Sequence, residues 1–543
     1  MAWPLSSWCQ PYSYSNEKVH SKKAFMKIGL TNLFSFRPHV EHLEFLAQLL
    51  EGDGHEVVFL TCDSAVDTCY IRELRGRSRL RECAQCIVGG VRSYRSDGVT
   101  AINKNHSGLS ESDLETLALS SSATLTRTES EREWDEPSVR EIRKRLAGPI
   151  SQAYQSARNW IVEEGIEGVI CFNGRMDLPR AVTYACEQLD IPYITHERTW
   201  FGDGIQLVPN GNCLSLKALG ELVREFDDKP LTASQAAYAG KLIGDRFLQR
   251  NSLEWRLYNK NPEPAPWPLQ APGKRVLVLP SSKNEFAGHD EWRTEWADNT
   301  EALDDFFEAF NIDASQVVLR CHPNWAETIG SVQGNRSLNL YTEWAGRQGI
   351  HCIRSEEKAN TYDLIQQADI VVLNGGSSAV EAGACGKQVV CLGPSTYQEA
   401  GFVHVFRSRE ELHDGRGELN LDPELVKRKT LRFLYVRSHR FPQFVPYVKA
   451  VETTKYRYFK GASAEVLIRM LSEGRIRPDD PEFSETERTE DGVLAALERA
   501  DWAKLADYQR PLEVGVPFEI NRRAGLKWID GFRAKFARGD RAG

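Results

Sequence analysis

A proline-rich stretch divides this chain into two parts that share one alternation of strands and helices. Residues 261–274 read NPEPAPWPLQAPGK and contain five prolines, which restrict the backbone and remove amide donors. Before this stretch, strand-like apolar runs flank an amphipathic helix at 40–50, and a second strand–helix–strand unit covers 166–195. Because parallel strands joined by helices build a doubly wound sheet, each part is predicted to be a Rossmann-like α/β domain.

Shifts in composition set the predicted domain boundaries. The polar segment 92–136 is predicted to be a helix plus a mobile surface segment, and the chain turns helical towards its end. Two α/β domains with a cleft between them and a helical end match the GT-B architecture, which is a likeness of fold and not of site. The predicted divisions are a flexible tail at 1–24, an N-terminal domain at 25–260 with a cysteine-rich loop at 62–86, a linker at 261–274, a C-terminal domain at 275–450 and a helical extension at 451–543.

The charge of the chain argues against nucleic acid as a partner. Lys and Arg number 68, Asp and Glu number 76, and the formal charge is −8, so there is no overall basic excess. No apolar run reaches the ~18–20 residues that span a bilayer, and the first 25 residues do not have the pattern of a secretory signal. We therefore expect a cytoplasmic protein. The basic segment 521–543 is predicted either to contact the inner face of an anionic membrane or to pack across the two domains.

A glycine turn between a buried strand and a helix is the most informative motif of the second part. In VVLNGGSSAVEA, at 371–382, the glycines let backbone N–H groups approach an anion, and the helix start adds unpaired donors. Ser377 and Ser378 add hydroxyl groups, and Glu381 is placed to accept hydrogen bonds from ribose hydroxyls. A tight turn with a capping serine and a first-turn glutamate explains the same residues without a ligand.

Other strand ends of the same sheet also carry polar loops. The segment RCHPN at 320–324 puts His322 where it can hydrogen-bond a phosphate oxygen, although a loop hydrogen bond is an equal explanation. The segment PSSKNEF at 280–286 carries short hydroxyls and a lysine, and Tyr362 at a helix start is placed to stack on a base. Ligands of open α/β sheets bind at the carboxyl ends of the strands, so these loops predict one shared site.

Taken together, these motifs resemble the bacterial capsular and surface-polysaccharide glycosyltransferases, including capsule-synthesis proteins and Kdo transferases with an HP motif. The shared order is SSxxEF, RxHPN, TYDLIxxAD, a glycine/serine loop with xxEAxxxGK, and LGxSxY, over 275–405 and more weakly over 432–444 and the first domain. The resemblance implies a nucleotide-sugar donor in the second domain and an acceptor in the first. Many relatives carry Ser-Thr where this chain has Gly-Gly-Ser-Ser, so CMP, UDP and GDP all stay open. The donor-binding candidates are Ser281, Ser282, Glu285, Arg320, His322, Asn324, Tyr362, Asn374, Gly376, Ser377, Ser378 and Glu381.

Two polar stretches of the first domain are predicted at the ends of consecutive strands, facing the cleft. In the stretch THER at 195–198, a glutamate or a histidine is placed to deprotonate an acceptor hydroxyl. The arginines of THER and of FNGR at 172–175 are placed to hold a carboxylate or phosphate, and an interdomain salt-bridge cluster is the alternative. The catalytic candidates are Glu197, His196 and Arg175, and the acceptor-binding candidates are His39, Asn173 and Arg198.

Four of the twelve cysteines form a cluster after the second predicted strand. Cys62, Cys69, Cys83 and Cys86 have the spacing C-x6-C-x13-C-x2-C. Four thiolates at this spacing predict a structural zinc site or an iron–sulfur cluster, and the basic residues between them favour thiolates. Cysteines without a ligand are the alternative.

The sequence thus predicts a glycosyltransferase that moves a sugar from a nucleotide sugar to a capsule, O-antigen or similar glycan, free or lipid-linked. No DxD motif stands out in a donor loop, so no catalytic metal is expected, and helix N–H groups and His322 are expected to assist departure of the phosphate. The alternatives are a nucleotide-sugar 2-epimerase, a polyol-phosphate transferase on the same fold, and a non-catalytic factor of polysaccharide assembly.

Overall fold

The structure is a computed structural model, and it describes residues 25–106, 108–254, 262–326, 328–329, 332–333, 335–415, 419–508 and 515–529. The predicted tail at 1–24 and the part of the basic segment beyond 529 lie outside these residues. Among the residues described, no helix combines the length and the apolar character needed to cross a bilayer.

Seven strands form the first sheet, and the five from the third position to the far edge run parallel, in the strand order of a Rossmann-like domain. From one edge to the other they are β15 (Pro442–Gln443), β6 (Ile205–Pro209), β5 (Tyr193–Arg198), β4 (Gly168–Phe172), β1 (Lys27–Asn32), β2 (Glu56–Thr61) and β3 (Val99–Ala101). Its helices are α1 (His39–Gly52), α2 (Tyr70–Arg75), α3 (Arg79–Gly89), α4 (Glu111–Thr126), α5 (Pro137–Glu164), α6 (Asp177–Gln188), α7 (Lys217–Phe226) and α8 (Ala233–Phe247).

Six parallel strands form the second sheet, again in a doubly wound order. They are β11 (His351–Ile353), β8 (Val317–Arg320), β7 (Val276–Val278), β12 (Ile370–Leu373), β13 (Gln388–Leu392) and β14 (Val403–Phe406), and a two-stranded ribbon, β9 (Thr328–Ile329) and β10 (Val332–Gln333), lies beside them. The helices are α9 (Asn299–Phe310), α10 (Asn335–Gln348), α11 (Thr361–Gln367), α12 (Ser378–Ala384), α13 (Arg409–Asp414) and α14 (Pro423–Tyr435). The predicted fold class, two Rossmann-like domains of the GT-B type, is confirmed.

Apolar runs explain these sheets. All residues of β7, β8 and β12 are buried, as expected for parallel strands covered by helices on both faces. One hydrophobic cluster covers the α1 face of the first sheet and continues onto one face of the second, and it includes residues of α8 and α14. The outer faces of the two sheets have separate clusters. The two domains therefore share one core instead of meeting only at a hinge.

The proline-rich linker packs on the second domain. Ala265 and Trp267 are buried, and their backbone N–H groups donate to Asp363 and Gln367 of α11 at 3.1 and 2.9 Å. The side chain of Gln367 donates in return to the carbonyl of Ala265 at 2.8 Å. The first part of the linker, residues 263–267, is thus bound to α11 and to the residues just before it.

The chain returns to the first domain earlier than the predicted boundary at 450. After α14 a π-helical turn, Val436–Arg440, leads into β15, which pairs with β6 of the first sheet. The predicted helical extension also contains strands, because the alternating segments after β15 form a three-stranded antiparallel sheet. Its members are β16 (Val448–Glu452), β17 (Lys455–Phe459) and β18 (Pro517–Phe518), and the remaining helices are α15 (Glu465–Glu473), α16 (Asp491–Glu498) and α17 (Trp502–Ala506).

The segment 92–136, predicted to be a helix plus a mobile surface segment, contains the predicted helix and several buried residues among those that the structure describes. Its helix α4 packs on α5 and α6, and Thr128, Glu129 and Ser130 after it are buried. The polar composition of this segment serves contacts with the second domain, described below.

Candidate active site

A cavity of about 170 Å³ lies between the domains at the carboxyl ends of the second-sheet strands. We call it the switch-point cavity, because β7 and β12, where the strand order reverses, both lead into it. Trp200, Arg246, Gln249, Asn251 and Glu254 of the first domain close its other side. Eight donor candidates line it: Ser281, Arg320, His322, Tyr362, Gly376, Ser377, Ser378 and Glu381.

Asn374 holds two of the loops around this cavity together. Its amide oxygen accepts from the Ser281 N–H at 2.7 Å, and its amide nitrogen donates to the Ser281 carbonyl at 2.9 Å. The next residue, Gly375, has φ of +99°, a conformation that favours glycine. Asn374 is therefore a positioning residue that does not line the cavity, in contrast to its predicted role in binding the donor.

A buried ion-pair cluster connects the domains at the edge of the cavity. Arg246 of α8 donates to Glu381 Oε1 at 2.8 Å and to both oxygens of Glu254 at 2.9 and 2.7 Å. Burial raises the pKa of Glu381 and the neighbouring Arg246 opposes that rise. The second oxygen, Oε2 of Glu381, is buried and has no hydrogen-bond partner among the described residues. A ligand hydroxyl is the kind of group that would satisfy it.

His322 enters the cavity as a neutral imidazole. Burial, with the charges of Arg320 and Arg127, lowers its pKa to about 4 although the contact with Asn324 opposes this. Its Nδ1 accepts from the Asn324 N–H at 3.2 Å. The proton therefore belongs on Nε2, which makes that atom a hydrogen-bond donor.

Three further donor candidates lie outside the cavity lining, and a fourth lines it in a structural role. Ser282 accepts from the Trp325 indole at 2.9 Å, Asn324 shapes the turn at His322, and Glu285 is exposed. Arg320 lines the cavity, but its guanidinium donates to the carbonyls of Arg354 and Glu357. These contacts assign Ser282, Asn324 and Arg320 to loop structure.

On the first-domain side, Glu197 is the centre of a hydrogen-bond network. Its Oε1 lies 3.0 Å from His39 Nε2 and accepts a hydrogen bond from the Arg198 N–H, also at 3.0 Å. Its Oε2 accepts from the Asn173 amide at 3.0 Å. Burial alone would raise the pKa of Glu197, but His39, Asn173 and the Arg198 N–H outweigh it and bring the pKa to about 2. Glu197 is thus an ionised carboxylate held in one position, with 22% of its side chain exposed.

Two acceptor-binding candidates have structural contacts instead of open faces. Asn173, at φ of +62°, also accepts from the backbone N–H groups of Arg175 and Met176 and so shapes the turn after β4. Arg198 donates to the Leu253 carbonyl at 2.8 Å. Asn173 and Arg198 therefore hold the backbone around the cleft in place. His39, the third acceptor-binding candidate, holds the Glu197 carboxylate in place.

The structure contradicts the prediction that His196 acts as a base. The stretch 195–198 belongs to β5 and does not follow it, so the pleat of the strand turns His196 and Glu197 to opposite faces. His196 is fully buried beside Phe172 and His39, and both ring nitrogens lack hydrogen-bond partners among the described residues. Burial lowers its pKa to about 3. An enclosed neutral imidazole has no contact with an acceptor.

Arg175 lies at a second, larger cavity of about 480 Å³, which we call the cleft cavity. Its walls are α4 and the loops after β4 and β6 of the first domain, and residues 283–293 of the second domain. Arg175 is buried and donates to Ser120 and Thr124 of α4, both at 3.0 Å. Although burial lowers the pKa of Arg175, the charges of Glu285 and Glu197 outweigh it, so the guanidinium stays charged.

Two glutamates that the sequence did not single out connect the domains across the cleft, one from each domain to the other. Glu129 of the first domain is buried in the second, where it accepts from the Lys283 N–H at 2.6 Å, Asn284 at 2.8 Å and Ser337 at 2.5 Å. Glu291 of the second domain accepts from two backbone N–H groups at the start of α7, at 2.7 and 3.0 Å. Only the docking of the domains gives these carboxylates their partners, so no local pattern signals them.

The four-cysteine metal site is not formed. Among the described residues, no group of three or more His, Cys, Asp or Glu side chains is arranged to hold a metal ion. Cys83 and Cys86 lie one turn apart on α3, and Cys69 belongs to a hydrophobic cluster against which Cys62 packs. All four cysteines line one small pocket, but burial raises the pKa of Cys62 and Cys69, and that of Cys86 to about 11, which favours thiols over thiolates. The described residues therefore do not support the zinc or iron–sulfur prediction.

Comparison with known proteins finds likeness only at the level of structure. No family model and no curated protein matches this chain. The KpsC β-Kdo 2,4 transferase of Thermosulfurimonas dismutans is 13% identical over 61% of this chain and 88% of its own, with a TM-score of 0.31. A UDP-GlcNAc 2-epimerase of Methanocaldococcus jannaschii, solved with UDP-GlcNAc and UDP, is 11% identical over 76% and 99%, with a TM-score of 0.26. MurG of Acinetobacter baumannii is 11% identical over 75% and 94%, with a TM-score of 0.25.

Proposed function

We propose that this chain is a glycosyltransferase that moves a sugar from a nucleotide-sugar donor to a surface-polysaccharide acceptor. The observation that carries the proposal is the switch-point cavity, where eight donor candidates from four separate segments meet a wall of first-domain residues. A ligand there contacts both domains and lies at the edge where open α/β sheets bind nucleotides.

Three groups at the cavity match parts of a nucleotide sugar. The unpartnered Oε2 of Glu381 accepts from ribose hydroxyls, and the neutral His322 donates to a phosphate oxygen as the nucleotide leaves. The ring centroids of Tyr362 and Phe247 are 5.1 Å apart, and Tyr362, which lines the cavity, offers a ring face to the base. The Ser377 and Ser378 hydroxyls, which also line the cavity, add donors for the phosphate.

Glu197 is the catalytic carboxylate of the proposal, in a different role from the predicted base. It lies three residues before Trp200, which lines the switch-point cavity, so at most roughly 11 Å of chain separates them. A carboxylate with a pKa of about 2 is a poor proton acceptor, but it stabilises positive charge well. We assign it to the positive charge that develops on the transferred sugar, and Arg175 at the cleft cavity to holding the acceptor.

Thermal unfolding with CMP-, UDP- and GDP-sugars tests the donor site. One nucleotide class is expected to raise the unfolding temperature, because a ligand that binds only the folded state stabilises it. Glu381→Gln should remove that shift. The matched control is Glu399→Gln, which alters another ion pair between the domains, with Arg224. If none of the three classes stabilises the wild type, the donor-site proposal fails.

A product assay separates transfer from epimerisation. The donor that binds is incubated with and without a polysaccharide acceptor, and the sugars are resolved by mass spectrometry and NMR. A glycosidic product that requires the acceptor supports the transferase. An epimer of the donor sugar formed without acceptor would replace it with the 2-epimerase alternative.

The proposal also covers where the protein acts, since a lipid-linked acceptor would lie at a membrane surface. Near the C-terminus Trp528 is 66% exposed and neighbouring Arg523 and Lys527 are exposed as well, a pairing typical of peripheral contact with anionic lipid. We propose that this segment holds the enzyme at the inner face of the membrane, near a lipid-linked glycan. Sedimentation with phosphatidylglycerol vesicles should carry down the wild type, and less of a Trp528→Ala, Lys527→Ala variant; equal sedimentation would refute the contact.

A further inference from the structure

Helix α3 (Arg79–Gly89) exposes apolar side chains and buries an acidic one. Leu80, Ile87 and Val88 are 85%, 38% and 43% exposed, whereas Glu82 is 2% exposed. An amphipathic helix of a globular domain normally has the opposite arrangement, with its apolar side chains against the core. An apolar face turned outwards is typical of an interaction surface.

The exposed apolar residues lie on one side of α3. They occupy positions i, i+4, i+7 and i+8, which form a single stripe on a helix. We call this set the outer stripe: Leu80, Ala84, Ile87 and Val88. On the opposite side, Glu82 pairs with Arg75 and Arg77 at 2.6 and 3.4 Å. These ion pairs hold α3 in place, since a rotation that buried the stripe would separate Glu82 from both arginines.

The part of the chain that contains the outer stripe is basic, although the chain as a whole is acidic. Residues 70–95 contain seven arginines and two glutamates, while the formal charge of the whole chain is −8. Arg79 and Arg81 precede and follow Leu80, and both are exposed; Arg79 pairs with the exposed Asp67 at 3.1 Å. Apolar side chains bordered by cations match an anionic lipid bilayer, because the headgroups attract the arginines and the acyl chains accept the stripe.

The described end of the chain adjoins the last turn of α3. Arg522 donates to the Val88 carbonyl at 3.1 Å, and the N–H of Arg523 donates to the Ser93 carbonyl at 2.8 Å. The exposed Trp528 comes five residues after Arg523, so at most roughly 18 Å of chain separates them. The outer stripe and the C-terminal segment proposed above to contact lipid are therefore neighbours on the surface.

Helix α3 also lies at the edge of the first sheet where the acceptor is proposed to bind. A small pocket beneath α3 is lined by Leu33 and Phe34, which follow β1, and by Thr61 and Cys62 at the end of β2. These are carboxyl ends of parallel strands, and Arg175 follows β4 at the same edge. A bilayer that contacts α3 would therefore hold the lipid anchor of an acceptor on the side of the domain that carries Arg175.

We propose that the outer stripe of α3 docks on anionic lipid, with the helix lying along the bilayer surface. Leu80, the most exposed of the four residues, enters the acyl boundary, and Arg79 and Arg81 meet the lipid phosphates. The purpose of this contact, to bring the first domain to a lipid-linked acceptor, rests on the proposed function. The contact itself needs neither donor nor acceptor, so it is measured without them.

Sedimentation of the full chain with phosphatidylglycerol or phosphatidylcholine vesicles tests the surface. The wild type should bind phosphatidylglycerol more tightly, because phosphatidylcholine carries no net charge. The double variant Leu80→Gln, Ile87→Gln should lower the partition coefficient onto phosphatidylglycerol roughly 10- to 100-fold, since two apolar side chains no longer leave water. Arg81→Gln should lower it roughly fivefold, the effect of one cation at an anionic surface.

The matched control is the double variant Val162→Gln, Phe483→Gln. It removes two apolar side chains that are 64% and 51% exposed on other elements, and it should bind vesicles like the wild type. Both double variants change only exposed side chains, so both should unfold at the wild-type temperature. Equal losses of vesicle binding in the two double variants would overturn the inference, because any exposed apolar side chain would then serve.

The remaining outcomes separate this inference from the proposed function. If the α3 double variant sediments like the wild type while Trp528→Ala, Lys527→Ala does not, only the C-terminal segment contacts lipid and the inference is overturned. If light scattering shows a wild-type oligomer that the α3 double variant loses, a second copy covers the stripe, which also overturns it. Vesicle binding through α3 by a chain that binds no nucleotide sugar would support the lipid surface and overturn the proposed function alone.

Discussion

The second-domain loops and strand β5 of the first domain offer polar side chains to the same cleft in different ways. The loops begin where parallel strands end, so their side chains reach one edge whichever way each strand is pleated. In β5 the polar residues lie within the strand, where neighbours face opposite sides. Glu197 therefore joins His39 and Asn173, while His196 is enclosed. A polar cluster after a strand is thus a stronger sign of a site than one inside it.

The largest expected effect concerns the interdomain wall of the switch-point cavity. Arg246→Met leaves Glu254 and Glu381 buried without their cation, which should lower the free energy of unfolding by about 3–5 kcal/mol. Arg224→Met removes a half-exposed arginine that also pairs across the domains and should cost about 1 kcal/mol or less. Urea unfolding followed by fluorescence measures both. Equal losses would mean that burial does not distinguish the two pairs.

Glu197 and His196, which are neighbours in β5, should differ most in their effect on the rate of sugar transfer. Glu197→Gln keeps the shape of the side chain and removes its charge, so the transfer rate should fall roughly 100-fold or more. His196→Phe, one residue away, should transfer sugar at the wild-type rate because it faces the other side of the strand. Steady-state rates with the donor identified above are the measurement. A slow His196→Phe enzyme with normal stability would restore His196 to the site.

The buried histidine should also appear in the pH dependence of stability. The pKa of His196 is about 3 in the folded chain and near its ordinary 6.5 when unfolded, so the unfolded state binds more protons below pH 6.5. Wild-type stability is lost as pH falls from 6.5 towards 3, and His196→Phe escapes this loss. Its advantage over wild type should grow by about 2 kcal/mol between pH 7 and pH 5. An unchanged difference across this range would show that His196 titrates normally.

On the second-domain side, His322→Ala should lower the affinity for the nucleotide roughly tenfold. This is the change in affinity expected when one hydrogen bond to a charged group is lost. His404→Ala is the control, because His404 is also a histidine whose pKa burial lowers to about 4, but it contacts Gln388 away from the cavity. Titration calorimetry compares the two variants. Equal affinities would remove His322 from the donor site.

The smallest effect is expected in the cysteine cluster. Cys83 lies half-buried on α3, so Cys83→Ser should change the free energy of unfolding by less than about 1 kcal/mol. Elemental analysis of the purified protein should find no stoichiometric zinc or iron. Bound metal that disappears in Cys83→Ser would contradict the arrangement of thiols in the structure.

Prediction from sequence succeeded where local signals were sufficient. The predicted strand at 351–353 coincides with β11, and the predicted helix at 361–368 differs from α11 by one residue. It failed for Arg246, because an arginine in the last turn of an apolar helix is also what the helix dipole favours. It failed for Glu129 as well, since a glutamate in a polar segment has no local sign of burial in another domain.

By itself, the sequence determined the two doubly wound sheets and the edge at which their polar loops gather. Both follow from local hydrophobic periods and from the rule that parallel strands end on one side. Within the part of the chain that the structure describes, the tertiary structure alone decided which polar groups are left without hydrogen-bond partners, such as Glu381 Oε2 and the two ring nitrogens of His196. Partnership depends on contacts between residues far apart in the chain, and no local pattern encodes them.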